Sequence, residues 1–571
     1  MSAAGQETRR ALCRAASGEE PTRVFANSDT TACLGVVPVF VNVGAAVLPA
    51  VLAALASMLA LLLRPRELLR VCSAKPHVPL LVVAGAVGLY FGVTWLTAPA
   101  APAGRKARES SGRTDWAQVA LDILEQRQRA ATASAGAPLV PGIGNPQPPA
   151  ARVQPTIFRG DASRSGHDGG PSPMKLRALW SFSTENAMQM SSPLVAGGAV
   201  FGASCVLDLP SNYGAVFCLD AATGAKRWLV ETAKDPRTGK EIEFKGFFSS
   251  PALSADGKSL LIGQGLHVDA NCDLLCFDAA TGALRWRVST PLHIESSPAI
   301  EGDLVVAGAG AIEGEDHKAK GHPGLVIGVR LSDGAKLWEY PLNDPESSPA
   351  IADGVAYIGS GFNGSAVAAL RTVSDEELKS QGLSRLLWKT PTPHPATGAI
   401  TVVGDLVLVG CGNGDYVYAA PVPDGAVMAL DRKTGAVRWQ AKMPDAVLGA
   451  IAVRDGKAVC PVRNGELAAL DLATGRILWR QEDPKERISG KAAVLCGPAL
   501  TGPLIYAVSQ DGYLGVIDAA DGKVLQRLYI NAKGRPGEMG LTLASPLVVD
   551  GRVYVGSETG GLGCLVGEEA R

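Results

Sequence analysis

Two kinds of hydrophobic pattern divide the chain. Near the N-terminus the apolar positions are continuous: residues 34–63 and 78–96 contain no charged side chain. Each run reaches the roughly 20 apolar residues that a membrane-spanning helix needs. Pro38 and Pro49 interrupt the first run, which moves the expected start of its span toward Val43. From about residue 157 onward the apolar positions come in short runs bounded by Gly, Pro, Asp and Ser. Runs of that length between turn residues predict strands buried on both faces.

The continuous runs predict an α-helical two-pass membrane hairpin over residues 33–98, after an N-terminal tail, residues 1–32. The connecting loop carries Arg64, Arg66, Arg70 and Lys75 against Glu67. Positive loops stay cytoplasmic, so both chain ends are expected outside, although Arg9, Arg10, Arg14 and Arg23 before the hairpin and Arg105, Lys106, Arg108 and Arg113 after it weaken the bias. Residues 99–156 read as a short helix, with Trp116, Val119, Ile123 and Leu124 at helical spacing, followed by a Pro/Ala-rich linker.

The short runs repeat. One signature is Ser-Ser-Pro before an apolar run: Ser191-Ser192-Pro193, Ser249-Ser250-Pro251, Ser296-Ser297-Pro298 and Ser347-Ser348-Pro349. Degenerate copies stand at Thr397-Gly398-Ala399, Leu448-Gly449-Ala450, Cys496-Gly497-Pro498 and Ala544-Ser545-Pro546. The other is Asp-x-x-Thr-Gly-x-x-x-Trp, ending at Trp228, Trp286, Trp439 and Trp479, with looser copies ending at Trp338, Trp388 and Gln526. The Asp can accept from the turn backbone and the Gly supplies positive φ. The Trp then falls on an outer strand, where it can wedge between neighbouring units.

A unit that cannot cover its own faces must close into a ring, and the spacing is that of propeller blades. Eight first-signature strands occur, but the last copy ends before any Thr-Gly-Trp element. The orphan strand Leu176–Phe182, carrying Trp180, precedes the first copy. It is expected to complete the last blade. The fold class is therefore all-β: an eight-bladed β-propeller of four-stranded antiparallel blades over residues 157–571.

The Asp-x-x-Thr-Gly-x-x-x-Trp repeat resembles that of PQQ-like β-propellers. That group includes quinoprotein alcohol dehydrogenases, the outer-membrane assembly lipoprotein BamB and many bacterial membrane proteins. Phe158-Arg159-Gly160-Asp161 followed by Arg164-Ser165-Gly166 is similar to the lead-in of the last group. The resemblance implies export, with the propeller on the periplasmic side of the inner membrane. It specifies the fold and is nearly silent on activity.

Composition narrows the function classes. A net charge of −1 gives no footprint for nucleic acid. The 66 glycines and 38 prolines suit many turns. No Ser-His-Asp, P-loop or kinase motif set occurs, and the eleven cysteines lack metal-finger spacing. Cys218, Cys276 and Cys564 share one repeat position, filled elsewhere by Gly328, Ala429 and Ala469, which reads as a slot for a small buried residue. Cys205 and Cys218 are candidates for a disulfide across neighbouring strands.

Candidate ligand-binding residues at the funnel mouth are His293, Glu295, Glu346 and His394, which precede innermost strands of three consecutive blades. His293 and Glu295 are two apart, so on a strand they point the same way, and such a set suits a divalent metal or a polar ligand. Glu313, Glu315, Asp316, His317 and His322 form a loop expected over the same face; Asn413 and Asp415 read as turn residues.

The leading expectation is a non-catalytic scaffold with a protein partner in the cell envelope, a membrane partner and no nucleic acid. The alternative implied by the resemblance is a quinoprotein oxidoreductase holding PQQ and Ca²⁺. Against it, no two cysteines are adjacent (Cys272 and Cys276 are the nearest pair), the blades are mostly lean where those enzymes carry long insertions, and there is no Cys-x-x-Cys-His motif. An envelope sensor or polysaccharide-binding propeller is a third reading, for which Phe247 and Phe248 are the aromatics in a candidate mouth loop.

Overall fold

The computed structural model describes residues 158–568, except 162–163, 168, 185–186, 209–210, 268, 311–322, 362–363, 418 and 533–539. The expected membrane hairpin, short helix and linker lie outside the described residues, as do Glu313, Glu315, Asp316, His317 and His322. Among the described residues no helix is long and apolar enough to cross a membrane.

The described chain forms eight four-stranded antiparallel sheets. Blade 1 runs Leu194–Ala196, Ala199–Ala203, Val216–Asp220 and Lys226–Val230 from the axis outward. Blades 2 to 7 begin with the inner strands Ala252–Leu253, Ala299–Glu301, Ala350–Ala352, Thr401–Val403, Ala452–Arg454 and Ala499–Leu500. Blade 8 takes Leu547–Val549, Arg552–Ser557 and Gly561–Gly567 from the C-terminal end of the chain, and its outer strand is Leu176–Phe182. The register runs from Leu176 opposite Gly567 to Phe182 opposite Leu562. The orphan strand thus closes the ring as its sequence implies. One helix, Asp375–Gln381, replaces the usual tight turn in blade 4.

The hydrophobic core lies between blades rather than within them. One cluster joins blades 2 and 3 through Leu261, Leu274, Ile294, Val305 and Ile327, and another joins blades 5 and 6 through Leu408, Val427, Val447, Ile451 and Leu470. Corresponding clusters fill the other junctions, including the seam of blades 8 and 1. Middle strands such as Ser259–Gly263 and Gly425–Asp431 are buried throughout. Two neighbours cover each blade, so both faces are apolar.

The second signature forms an outer ring of bonds. Asp220 Oδ1 accepts from the main chain of Ala222 (3.1 Å) and Thr223 (3.0 Å), which closes the turn. Trp228 Nε1 donates to Ala279 O of the next blade at 3.1 Å. Trp180, Trp286, Trp338, Trp388, Trp439 and Trp479 repeat this bond at Ala221, Leu331, Thr372, Arg432, Leu472 and Ala519.

Each turn glycine has positive φ and also lies under the preceding blade's indole: a Cβ on Gly282 would stand 2.8 Å from Trp228. The small slot faces the Trp across the strand pair, so Cys276 is opposite Trp286 and Gly328 opposite Trp338. A Cβ on Gly328 would come within 2.0 Å of the Trp338 ring. Where blade 7 meets blade 8, Gln526 replaces the Trp and brackets Leu176 with bonds to its N (2.8 Å) and O (3.0 Å).

Candidate functional site

The first signature lies around the axis, where it forms an inner ring. Ser545 N donates to Ser192 Oγ at 2.8 Å, Ser192 N to Ser250 Oγ, Ser250 N to Ser297 Oγ and Ser297 N to Ser348 Oγ, the last three at 3.0 Å. The ladder ends at blade 4, because Gly398 and Gly449 have no hydroxyl to continue it. Above this ring opens the mouth, built by the segments that enter the inner strands and by the loops between second and third strands.

The four predicted mouth residues separate into three pairs. His293 is fully buried and its Nε2 lies 2.9 Å from Glu346 Oε1. Its Nδ1 is buried without a hydrogen-bond partner. Burial holds this imidazole below its usual pKa, so it is neutral at neutral pH.

Glu295 instead takes His267, a residue the sequence reading passed over. Its Oε1 accepts from His267 N at 2.7 Å and lies 3.4 Å from His267 Nδ1. Burial pushes the Glu295 carboxyl up, but the His267 bond and the two imidazoles hold it below the usual range. His394 Nε2 sits 2.9 Å from Asp424 Oδ2, and that bond holds Asp424 low.

The expectation that His293 and Glu295 share one strand face is corrected: both lie in irregular backbone before Ala299–Glu301, which frees them to turn to different partners. His267 and Asp424 both lie in loops between second and third strands, which reach the same end of the blade. That equivalence is the signal that would have found them.

Asn413 and Asp415 do act as turn residues. Asn413 Oδ1 accepts from Asp424 N at 2.9 Å and Asp415 Oδ1 from Val417 N at 2.6 Å. The loop they shape is a strap. Tyr416 OH donates to Leu448 O at 3.2 Å, Arg463 Nε to Asp415 O at 2.6 Å, and Gln510 Nε2 to Tyr416 O at 3.2 Å. Blade 5 is thereby tied to blades 6 and 7. Burial, with the charges of Glu346 and Glu295, pushes the Tyr416 phenol up, so it stays protonated.

Below the mouth the chain's own lead-in crosses the channel. Ser165 O accepts from Leu500 N and Gly166 O from Val548 N, both at 2.8 Å, which seats the segment on blades 7 and 8. Arg159 Nη1 and Nη2 donate to Gly497 O and Pro498 O. Arg164 reaches the far side, with Nε 3.0 Å from Ile400 O and Nη2 2.6 Å from Pro349 O. The two side chains are 4% and 1% exposed. Burial pulls Arg159 down to about 10, and Arg164 to about 9 with help from Arg159's charge, so both remain cationic at neutral pH. Asp161 lies within electrostatic reach of both.

Two cysteine and aromatic expectations are corrected. Cys205 and Cys218 are separate free thiols. Cys218 pairs in register with Phe201, whereas Cys205 lies beyond the end of that strand and bridges Met188. Burial raises them to about 12 and about 11. Phe247 does not line the mouth; it is fully buried in the core of blades 1 and 2, 5.9 Å from Phe244.

Calcium takes six to eight oxygen ligands. Among the described residues no three His, Cys, Asp or Glu side chains stand together to hold a metal, and the mouth carboxylates are engaged by imidazoles. The described mouth side chains do not by themselves assemble such a calcium site.

The quinone-dependent alcohol dehydrogenase subunit of Gluconobacter oxydans is 24% identical over 286 residues, 46% of this chain and 33% of the relative. The chain thus spans about a third of that relative's length. Among solved structures, the quinohemoprotein alcohol dehydrogenase of Comamonas testosteroni aligns with a TM-score of 0.50 at 15% identity, covering 80% of this chain and 85% of its own. BamB from Moraxella catarrhalis aligns at 0.48 and 16%, covering 70% and 99%. The family model for outer membrane protein assembly factor BamB matches residues 177–425 and 384–571. These matches take in nearly the whole ring, and the chain belongs to that family of PQQ-like β-propellers.

Proposed function

We propose that this chain is a non-catalytic scaffold: a propeller anchored by an N-terminal hairpin in the inner membrane, displayed on the periplasmic side, and bound to a protein partner of the cell envelope. The observation that carries the reading is how the axis is used. The mouth acids are taken up by imidazoles of the same chain, and the channel below is crossed by Arg159 and Arg164. The loops and outer faces are then the surface offered to a partner. The assembly-factor family supports a protein partner, and the continuous apolar runs over residues 34–63 and 78–96 support the anchor.

The similarity to quinone alcohol dehydrogenase subunits favours a second reading, a PQQ-dependent oxidoreductase of alcohols or sugars. Titrating the full chain in detergent with PQQ and Ca²⁺, followed by dye-linked oxidation of alcohols and sugars, separates the two. The scaffold reading expects no saturable binding and no turnover; saturable binding with turnover would sink it. A phosphatase fused after Arg571 tests the placement: it is expected to be active in intact cells, and an inactive fusion places the propeller in the cytoplasm.

A further inference from the structure

The channel waist treats the lead-in as a bound peptide. Described residues 158–161 and 164–167 touch the ring through one parallel bridge, His167 to Val548, and through hydrogen bonds, without becoming a strand of any blade. The ring oxygens that receive Arg159 and Arg164 are main-chain carbonyls of the Ser-Ser-Pro segments or the residue after them, Pro349, Ile400, Gly497 and Pro498, while within the lead-in Arg159 Nε donates to Arg164 O and Arg164 Nη1 to Phe158 O. They belong to blades 4, 5 and 7, so the two guanidinium groups join blades two and three places apart in the eight-membered ring.

A fork of planar donors can satisfy several fixed carbonyls at once, whereas a lysine ammonium offers a single point of charge. The ring also makes room for this ligand. At Gly497, where a regular repeat has serine, a Cβ would stand 3.0 Å from Arg159 and 2.9 Å from Ala450. Gly166 is similarly constrained, since a Cβ there would meet Arg159 at 2.6 Å and Ala499 at 3.2 Å. The degenerate repeat at blade 7 is thus explained by what lies against it.

We propose that the channel waist is a receptor for a turn-forming peptide bearing two arginines five residues apart, and that the chain occupies it with its own Arg159 and Arg164. The ligand class is a diarginine segment read through main-chain carbonyls, and the resting protein is the receptor filled in cis. A segment of this chemistry supplied in trans competes for the same oxygens.

The test leaves every native residue in place. A protease recognition sequence is inserted between Gly170 and Pro171 of the full chain, which keeps the strand Leu176–Phe182 on the propeller side of the cut. After cleavage the two pieces are expected to stay together through gel filtration. Excess synthetic peptide of residues 157–168 is expected to release the N-terminal piece, and the same peptide with both arginines changed to lysine to do so about tenfold less well.

Immediate separation on cleavage overturns the proposal, because the lead-in would then be held only by chain continuity. Equal release by the lysine peptide overturns the guanidinium reading. As a second arm, a full-length R159A/R164A protein with wild-type circular dichroism is expected to bind the labelled arginine peptide where the uncut wild type does not. No binding by that folded variant also overturns it.

Discussion

The two rings of bonds that hold the blades together differ in regularity. At the periphery one bond is repeated at seven junctions, an indole N–H donating to the carbonyl of the residue just past the next blade's third strand. At the axis the serine ladder runs from blade 7 through blades 8, 1, 2 and 3 to blade 4, and then lapses. Non-repeated parts of the chain attach in and beside the gap, with Arg164 on blades 4 and 5, the Tyr416 strap across blades 5 to 7 and Arg159 on blade 7. The outer bonds run from blade to blade without the lead-in between them, so these seven junctions can be alike. The inner ring faces whatever fills the channel, and its repeat bends to that.

The comparison is broken most severely at the periphery. Trp338→Ala removes a fully buried indole together with its bond to Thr372 and its stacking under Arg385, 4.5 Å away. It is expected to cost about 3–5 kcal/mol, measured by urea unfolding of the full chain in detergent. A loss below about 1 kcal/mol, the level of an ordinary surface change, would show that the inter-blade cores hold the ring without the indole.

The irregular arc of the inner ring comes next. Arg164→Ala leaves Pro349 O and Ile400 O bare but relieves the burial of a charge. The net loss is expected near 2–3 kcal/mol, and Arg164→Lys should recover less than half of it, since the second carbonyl stays unmet. Full recovery by lysine would mean that charge alone matters at this position.

The regular arc is weaker bond by bond. Ser250→Ala removes the acceptor for Ser192 N and is expected to cost about 1–2 kcal/mol. Gly449→Ser restores the repeat where it lapsed, yet its Cβ would meet the main-chain carbon of Cys496 at 2.7 Å. It should therefore destabilise, by about 1–3 kcal/mol, despite matching the other repeats. A stabilised Gly449→Ser protein would show that the lapse is drift rather than fit.

The smallest effect is electrostatic and belongs to the outer turns. The Arg227 guanidinium and the Thr223 hydroxyl hold the Asp220 carboxyl at about 2, against about 3.9 in an unfolded chain. Between those values the unfolded state binds the extra proton. The contribution is therefore complete above about pH 4 and is lost as pH falls toward 2. Asp220→Asn should flatten the fall of Tm across that window by a degree or so; an unchanged slope would place the acid sensitivity elsewhere.

The periphery was legible because its chemistry is local in sequence. Asp220, Gly224 and Trp228 lie within one turn and one strand, and most copies repeat them. Even the small slot at Cys218, Cys276 and Gly328 could be read as a size limit, though not as the space opposite an indole. The mouth was legible only in part. Its location follows from which segments precede inner strands, and so His293 and Glu346 were found. Which imidazole meets which acid depends on how neighbouring blades lie side by side. His267 is far from Glu295 along the chain, and Asp424 is far from His394.

By itself, then, the sequence determined the ring: two signatures, a strand period, and an orphan strand whose missing partner stood at the other end of the chain. It could do so because most blades carry, within a short stretch of chain, the groups by which they bind the next. Only the tertiary structure decided what the axis contains. Nothing local in Phe-Arg-Gly-Asp says that its arginine will end on Gly497 and Pro498, or that Arg164 will end on Pro349 and Ile400. Those acceptors are backbone oxygens, which every residue has, and only the closed ring turns these few toward the channel.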